Sequence, residues 1–447
     1  MRSGALTWLL LIAPVAAAQV GLPAVRVPQV PGVTLPNLPV PEVPLDVDKS
    51  AAALAGEVDP RRLRELRALR IRESLRRHRD VLEADPHGAP IVRGELLALS
   101  PSAAALQAAG DAGFSVVREH SFAELGTRIV VLHASGSTAR ALVRLQGLDP
   151  AGVYDFNHLY TDSGAPGAAD MSAAQPAPAP GGVARADEAD GGAAIRLGLI
   201  DSGVDVTHEA FNGLSVQQHG CGTAVPAEHG TAVASLMVGH ARALHGAAPG
   251  SALYAVDVFC GLATGGAVDA VAEGFAWLLH EQVAVINVSL VGPPNRTLAG
   301  IVQNVLARGH LVVAAVGNDG PAAPPLYPAA WPGVVGVTAV DAHQQVLVEA
   351  LRGPQVKFAA PGADLAAARP HQAYALVRGT SFASPIVAGL LALELHTPGQ
   401  AAAQQAVAAL ARRALDLGAP GLDPVYGYGL VGADLRRQPA LAQLGAH

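Results

Sequence analysis

The chain has almost no lysine, little cysteine and no long apolar segment after its first twenty residues. Lys49 and Lys357 are the only lysines among 447 residues, and arginine supplies the remaining positive charge. The net charge is −7 and basic residues are not pooled along the chain, so nothing in the charge pattern indicates a nucleic-acid partner. Later apolar runs are short and broken by glycine and proline, which argues against a membrane-spanning helix.

The first 18 residues have the pattern of a secretory signal peptide. Arg2 supplies a positive start, residues 5–15 are mostly apolar, and three alanines precede Gln19. An uncleaved anchor is the alternative, but the apolar run is short for a bilayer and prolines follow it closely. No cysteine follows the run to carry a lipid. We therefore expect a secreted or periplasmic protein that meets a membrane only before this segment is removed.

Cys221 and Cys260 are the only cysteines in the sequence. In an exported protein an even number of cysteines favours a disulfide, and two separate buried thiols are the alternative. His219 and His229 lie near Cys221, but their spacing matches no standard zinc motif, so a zinc site ranks last. We expect one disulfide and no metal.

The region before residue 90 divides into two parts. Residues 19–58 form a spacer with seven prolines between positions 23 and 44, which favours a stiff polyproline conformation; a ligand for SH3-type domains is the alternative. Residues 59–89 contain an arginine-rich helix predicted over 59–84, with Asp59 as N-cap and Pro60 as its first residue. Interspersed acidic residues favour a solvated face over membrane binding.

Two further segments precede the main body of the chain. Residues 90–160 predict the succession β-α-β-β-α-β, which is typical of a small ferredoxin-like α+β module. Residues 161–191 are rich in alanine, glycine, proline and aspartate, and predict a flexible linker open to proteolysis.

From residue 192 to the C-terminus, short apolar strands alternate with helical segments. This alternation is typical of parallel β-α-β units with helices on both faces of the sheet. The predicted fold class is therefore α/β, with a mostly parallel, doubly wound sheet in a large domain that follows the small module.

Three polar residues in this domain suggest nucleophilic catalysis. Asp201 ends an apolar strand, whereas His229 and Ser381 each begin a predicted helix. A serine hydroxyl needs a base to accept its proton and a third group to orient that base. Active groups collect beyond the carboxyl ends of parallel strands, where helix N-termini also offer free amides to an oxyanion. Asn318, after another apolar strand and a glycine, is a candidate second oxyanion donor.

With the segments around Asp201, His229 and Ser381, the chain resembles the subtilisin-like serine peptidases of the subtilase family. Further matching stretches are 248–249, 286–290, 317–318, 327–329, 360–362 and 426–431, so the resemblance covers about 192–435. It implies that Asp201, His229 and Ser381 are a catalytic triad and that Asn318 is the oxyanion donor. It also implies that substrate pairs as a strand between residues 262–266 and 289–292. The substrate-binding residues would be Thr264, Gly265, Ser289, Leu290, Val291 and Gly292.

The resemblance also assigns a role to the small module. Members of this family often carry a ferredoxin-like propeptide that assists folding and blocks the cleft, so residues 90–160 would be an intramolecular inhibitor. Assistance with folding is useful because a parallel sheet depends on non-local strand pairings, which form slowly. We expect self-cleavage within residues 160–191, and thus a self-inhibited precursor of an exported endopeptidase.

The chain departs from the family pattern in places. Val291 stands where a glycine is usual, which predicts an altered or smaller residue preference before the scissile bond. The connection from Ala234 to Gly246 is short and lacks acidic residues, which weakens the case for calcium, so no cofactor is expected. Two other functions stay open. One is a non-catalytic binding scaffold, and the other is an esterase, although the Gly-x-Ser-x-Gly motif is absent around Ser381.

Overall fold

The structure is a computed structural model that describes residues 60–162, 165–166, 195–241 and 244–436. The predicted signal peptide (1–18), the proline-rich spacer (19–58) and most of the predicted linker (161–191) lie outside the described residues. Among the described helices, none combines the length and the apolar character needed to cross a membrane.

The arginine-rich helix is shorter than the sequence suggests. Helix α1 (Pro60–Arg77) ends seven residues before the predicted end, and strand β1 (Leu82–Ala84) follows it. Strand β1 forms an antiparallel hairpin with the start of the next strand. The side chain of Asp85 holds the turn, because Oδ1 accepts hydrogen bonds from the amides of His87 at 2.8 Å and Ala89 at 2.7 Å.

A small antiparallel sheet with two helices follows, and we call residues 82–158 the N-terminal module. Its elements are β2 (Pro90–Leu99), α2 (Ala103–Asp111), β3 (Ser115–Phe122), β4 (Thr127–His133), α3 (Thr138–Leu148) and β5 (Val153–His158). The strand order is β5-β2-β4-β3, so the first and third long strands are neighbours in the middle. Ser102 and Ser137 cap the two helices through their hydroxyls, as serine does at helix starts.

The large domain is built on a seven-stranded parallel sheet. Its strands are β8 (Arg196–Asp201), β9 (Val216–His219), β12 (Ala252–Asp257), β13 (Val285–Val288), β15 (Leu311–Ala315), β16 (Val335–Val340) and β17 (Val356–Pro361). They lie in the order β17-β16-β15-β13-β8-β12-β9. Strands β13 and β15 are buried throughout, as is expected of parallel strands covered on both faces.

Helices cover both faces of this sheet, and they are α4 (Glu228–Val238), α5 (Val268–His280), α6 (Arg296–Ala307), α7 (Thr380–Ala392) and α8 (Gln400–Arg413). Leu199 belongs to one buried cluster and its neighbour Ile200 to the other, because adjacent strand residues point to opposite faces. The predicted α/β, doubly wound class is confirmed.

Short strands outside the central sheet complete the domain. They are β6 (Thr161–Asp162), β7 (Ala165–Pro166), β10 (His240–Ala241), β11 (Leu244–His245), β14 (Leu290–Val291), β18 (Ala363–Arg369) and β19 (Ala373–Arg378). Strand β6 pairs with β14, and β7 pairs with β19, so residues that follow the N-terminal module form part of the large domain's periphery.

The N-terminal module packs against the starts of α5 and α6. Asp155 accepts a hydrogen bond from the amide of Arg296 at 2.6 Å, and Asn157 donates to Asp269 at 3.0 Å. The Asp155 carboxylate is well suited to its position, because a helix N-terminus has free N–H groups and a positive partial charge. Arg118 adds a bridge from Glu95 in the module to Asp269, with contacts of 2.7 Å to each. Strand β5 thus attaches the module to two helices at once.

Candidate active site

The first candidate residue, Asp201, is the last residue of β8 and is fully buried. Its Oδ1 accepts hydrogen bonds from the backbone amide of Ser202 at 2.7 Å and from the Ser202 hydroxyl at 3.1 Å. The same oxygen lies 2.8 Å from Nδ1 of His229. Asp201 is therefore a fixed carboxylate that orients the imidazole ring of His229.

His229 is the second residue of helix α4, whose first turn packs closely on the loop after β8. The next residue, Gly230, has no room for a side chain, since a Cβ there would overlap the carbonyl oxygen of Ser202. Burial alone lowers the pKa of His229, but the carboxylates of Asp201 and Asp162 outweigh it and raise the pKa to about 9. The imidazole therefore holds its proton more tightly than usual.

Ser381 is the second residue of helix α7 and is fully buried. Gly379 precedes the helix at φ +136°, a backbone conformation that favours glycine. The Ser381 hydroxyl donates to the carbonyl oxygen of Ser289 at 3.3 Å. The ring of Phe382, the next residue, lies 5.3 Å from the ring of His229 between centroids.

Among the described residues, buried Nε2 of His229 has no hydrogen-bond partner, although Phe382, the neighbour of Ser381 in sequence, contacts the imidazole ring. In this conformation the serine hydroxyl is directed to Ser289 instead of to the imidazole. A rotation of the Ser381 side chain about χ1 changes this direction without moving the backbone.

Asn318 lies in the turn after β15, next to the start of helix α7. Its Oδ1 accepts a hydrogen bond from the amide of Thr380 at 3.1 Å, and the Thr380 hydroxyl accepts one from the amide of Gly317 at 3.1 Å. These two bonds fix the turn to the helix that carries Ser381. With its oxygen engaged, the Asn318 side chain keeps its NH₂ group as a hydrogen-bond donor.

The chain that leaves the N-terminal module lies in a cleft beside these residues, and we call residues 159–162 the cleft strand. Leu159 forms a bridge with Ala267, and the amide of Tyr160 donates to the carbonyl of Gly266 at 2.8 Å. On the other side the cleft strand pairs antiparallel with β14, with Thr161 opposite Val291 and Asp162 opposite Leu290.

The expected substrate-binding residues fall into two groups in the structure. Leu290, Val291 and Gly292 contact the cleft strand, through pairing for the first two and through the Tyr160 ring for Gly292. Thr264 and Gly265 instead line a cavity next to the cleft, and the backbone partners on that side are Gly266 and Ala267. Ser289 meets Ser381 through its backbone carbonyl.

Tyr160 fills a pocket in the cleft wall. Its side chain is buried, and its hydroxyl donates to the carbonyl of Pro293 at 2.8 Å. A Cβ at Gly292 would lie 2.7–2.8 Å from the Tyr160 ring, so the ring depends on glycine at that position. Tyr160 is the main apolar anchor of the cleft strand.

Asp162 brings a second carboxylate to the histidine. Its Oδ1 is 3.7 Å from Nδ1 of His229, and 39% of its side chain is exposed. Although solvent reaches the carboxyl, the surrounding cleft walls desolvate it and raise its pKa to about 6, with smaller contributions from Asp201 and Asp257 and an opposing one from His229. Asp162 belongs to the linker predicted over residues 161–191, and no local pattern in the sequence identifies it as part of the site.

The predicted disulfide between Cys221 and Cys260 is present, with the Cα atoms 5.5 Å apart. It joins the segment before α4 to the loop that leads to Gly266. The side chain of Asp257 shapes this loop, because its Oδ1 accepts hydrogen bonds from the amides of Phe259 at 2.9 Å and Cys260 at 3.0 Å. The alternative of two separate thiols is excluded.

The subtilase family is matched by residues 192–429, which are more than half of the chain. Subtilisin Savinase of Lederbergia lenta is 33% identical over 254 residues, which cover 54% of this chain and 90% of that protein. Minor extracellular protease Epr of Bacillus subtilis (strain 168) is 30% identical over 243 residues, which cover 53% of this chain but 37% of that protein.

A solved structure extends the likeness beyond the large domain. Fervidolysin from Fervidobacterium pennivorans, described as a keratinolytic enzyme related to subtilisin, aligns with a TM-score of 0.62 at 21% identity. The alignment covers 78% of this chain and 62% of fervidolysin, and it shows a shared fold. The chain belongs to the subtilase family of serine-type endopeptidases.

Proposed function

We propose that this protein is an exported serine endopeptidase that hydrolyses peptide bonds through Asp201, His229 and Ser381, and that it is made as a self-inhibited precursor. The observation that carries the proposal is the 2.8 Å contact between Asp201 and His229, beside a helix start that presents Ser381. An acid, an imidazole and a hydroxyl in this arrangement are the requirements for acyl transfer from a peptide to serine.

The reaction begins with the Nδ1 proton of His229 held by Asp201, which leaves the lone pair on Nε2. Nε2 accepts the proton of Ser381 as Oγ attacks the carbonyl carbon of the substrate. The Asn318 side chain and the backbone amides at the start of α7 donate hydrogen bonds to the developing oxyanion. His229 then gives the proton to the leaving amine, and water hydrolyses the acyl-enzyme by the same steps.

The pairing of the cleft strand supports self-inhibition by the N-terminal module. Residues 159–162 occupy the cleft as an extended strand, which is the way a peptide substrate would bind. Downstream, Ala165 and Pro166 pair with β19, immediately before Ser381. Pairing on both sides limits the self-cleavage site to the three bonds between Asp162 and Ala165, of which Ser163–Gly164 is central.

The expected partners follow from this arrangement. Protein or peptide substrates would add as a strand beside β14, and the chain's own N-terminal module would act as an intramolecular inhibitor. Val291, which is fully buried, favours a small residue before the scissile bond, and Ser163 has a small side chain. Export rests on the signal-peptide pattern of residues 1–18. Nothing in the proposed reaction requires a cofactor.

A fluorophosphonate probe tests the proposal directly. Purified enzyme should be labelled at Ser381, and Ser381→Ala should remove both the label and the self-cleavage, so that the variant accumulates as the precursor. N-terminal sequencing of the mature wild-type enzyme should begin at residue 163, 164 or 165. A protein that stays unlabelled and inactive after the module is removed would instead be a binding scaffold.

A further inference from the structure

Helix α7 contains a proline at a position that matters for Ser381. Pro385 is the sixth residue of the helix and therefore lies beyond its first turn. Proline has no amide hydrogen, and in an α-helix the amide of residue i+4 donates to the carbonyl of residue i. The carbonyl that loses its helical donor is that of Ser381 itself.

The hydroxyl of Ser289 supplies a hydrogen bond to this carbonyl. Oγ of Ser289 donates to the carbonyl oxygen of Ser381 at 3.0 Å, within a fully buried contact between the end of β13 and helix α7. A buried carbonyl without a hydrogen-bond donor destabilises the folded protein, so the Ser289 hydroxyl stabilises this helix by supplying a donor.

Asn287 orients that hydroxyl. Its Nδ2 donates to Oγ of Ser289 at 2.8 Å, which occupies an oxygen lone pair and leaves the hydroxyl proton for Ser381. Ser384 is a weaker participant, since its Oγ lies 3.1 Å from Oγ of Ser289 but 3.5 Å from the Ser381 carbonyl.

We propose that the Ser289 hydroxyl, oriented by Asn287, is a positioning group for Ser381 that replaces the amide missing at Pro385. The inference rests on the proposed role of Ser381 as nucleophile. Ser289 holds Ser381 at two points, with its hydroxyl on the carbonyl and its carbonyl on the hydroxyl. The first contact fixes the backbone from which the nucleophile extends, and small displacements of a nucleophile reduce the rate strongly.

The primary test is Ser289→Ala in the mature enzyme, released by added wild-type enzyme if self-cleavage is slow. We expect kcat on a soluble peptide substrate to fall about tenfold to a hundredfold, with KM changed less than about twofold. The midpoint of the pH–rate profile should stay unchanged, because the variant leaves Asp201 and His229 as they are. Ser384→Ala is the matched control, and its 3.5 Å contact predicts a smaller loss.

A rescue experiment separates positioning from general damage. Pro385→Ala restores an amide donor four residues after Ser381, so it should make the Ser289 hydroxyl dispensable. The loss of kcat caused by Ser289→Ala should therefore shrink to less than about threefold when residue 385 is alanine. The rate of fluorophosphonate labelling should follow the same pattern.

Two results would overturn the inference. One is an equal loss from Ser289→Ala in both backgrounds, and the other is a change in KM with kcat preserved. The failure of the proposed function is distinct, because in that case the wild-type enzyme itself neither reacts with the probe nor hydrolyses peptides.

Discussion

Asp162 of the cleft strand and His229 of helix α4 form a contact of 3.7 Å on the side of the imidazole that also bonds Asp201 at 2.8 Å. Two carboxylates therefore act on one ring nitrogen while the cleft strand is in place. Because opposite charge favours the protonated imidazole, the precursor holds its own base in the form that cannot accept a proton.

The first prediction concerns the pH dependence of self-cleavage. The reaction needs neutral His229, whose pKa is about 9 in the precursor, so the rate should rise with pH up to that value. Asp162→Asn removes one of the charges that raise this pKa, and the midpoint should move to lower pH by about one unit or more. Precursor at pH 7 should then mature faster, as measured by gel densitometry over time.

The acid side of this profile provides an internal check. Below about pH 6 the wild-type Asp162 carboxyl becomes neutral, so wild type and Asp162→Asn should converge there. Asp111→Asn, an exposed change at the end of helix α2, is the matched control and should leave the midpoint in place. Identical profiles for wild type and Asp162→Asn at all pH values would contradict the role of Asp162.

The second prediction concerns the anchor of the cleft strand. Tyr160→Ala removes a buried aromatic ring, which costs about 3–5 kcal/mol in a packed site, and should release the cut module readily. Tyr160→Phe loses only the bond to Pro293, at about 1 kcal/mol, and should hold nearly as well. The inhibition constant of the module, measured by titration against mature enzyme, gives the effect of each substitution.

Gly292→Ala tests the same pocket from the opposite wall. The added Cβ would meet the Tyr160 ring at 2.7–2.8 Å and should weaken inhibition by the wild-type module at least tenfold. Combining it with Tyr160→Ala should give much less than the sum of the two effects, because the clash is then gone. Additive effects would mean that Gly292 acts elsewhere.

The third prediction concerns the charged bridge between module and large domain. Arg118 contacts Glu95 and Asp269, and the Asp269 side chain is only 7% exposed. Removing the arginine leaves two carboxylates facing each other without a cation, so Arg118→Ala should weaken inhibition at least tenfold. Arg76→Ala, which breaks an exposed pair with Glu73, is the control and should have little effect.

The fourth prediction concerns the disulfide. Cys221 and Cys260 are 39 residues apart, and loss of a cross-link over such a loop typically costs about 2–4 kcal/mol. The double Cys221→Ser/Cys260→Ser variant should show a lower Tm, and it should also raise KM because the loop leading to Gly266 forms one wall of the cleft. An unchanged KM with a reduced Tm would limit the disulfide to stability.

Much of the large domain could be predicted from sequence because its strands are short, apolar and separated by helices. The apolar run before Asp201 and the glycine before Ser381 are local patterns that place both residues at element ends. The hairpin of β1 depended on a pairing with residues 90–92 that no local pattern specifies, so the predicted helix ran too far. Likewise, the alanine-, glycine- and proline-rich composition of residues 161–191 hid the short strands at 161–162 and 165–166, which form only against β14 and β19.

The Ser289 contact shows a different limit. Pro385 follows Ser381 by four residues, and that spacing alone identifies a helix carbonyl without its usual donor. The sequence does not say which distant side chain takes over, because the substitute comes from residue 289 on another strand.

The pairing of Ala165 and Pro166 with Val377 and Arg378 has a consequence for the newly cleaved enzyme. Cleavage upstream of Ala165 produces a new N-terminus on the enzyme. This N-terminal segment still lies where the C-terminal part of a substrate must bind. Release of the N-terminal module is therefore only one of two steps in maturation. The new N-terminus must also move out of this position before the enzyme can bind its first substrate.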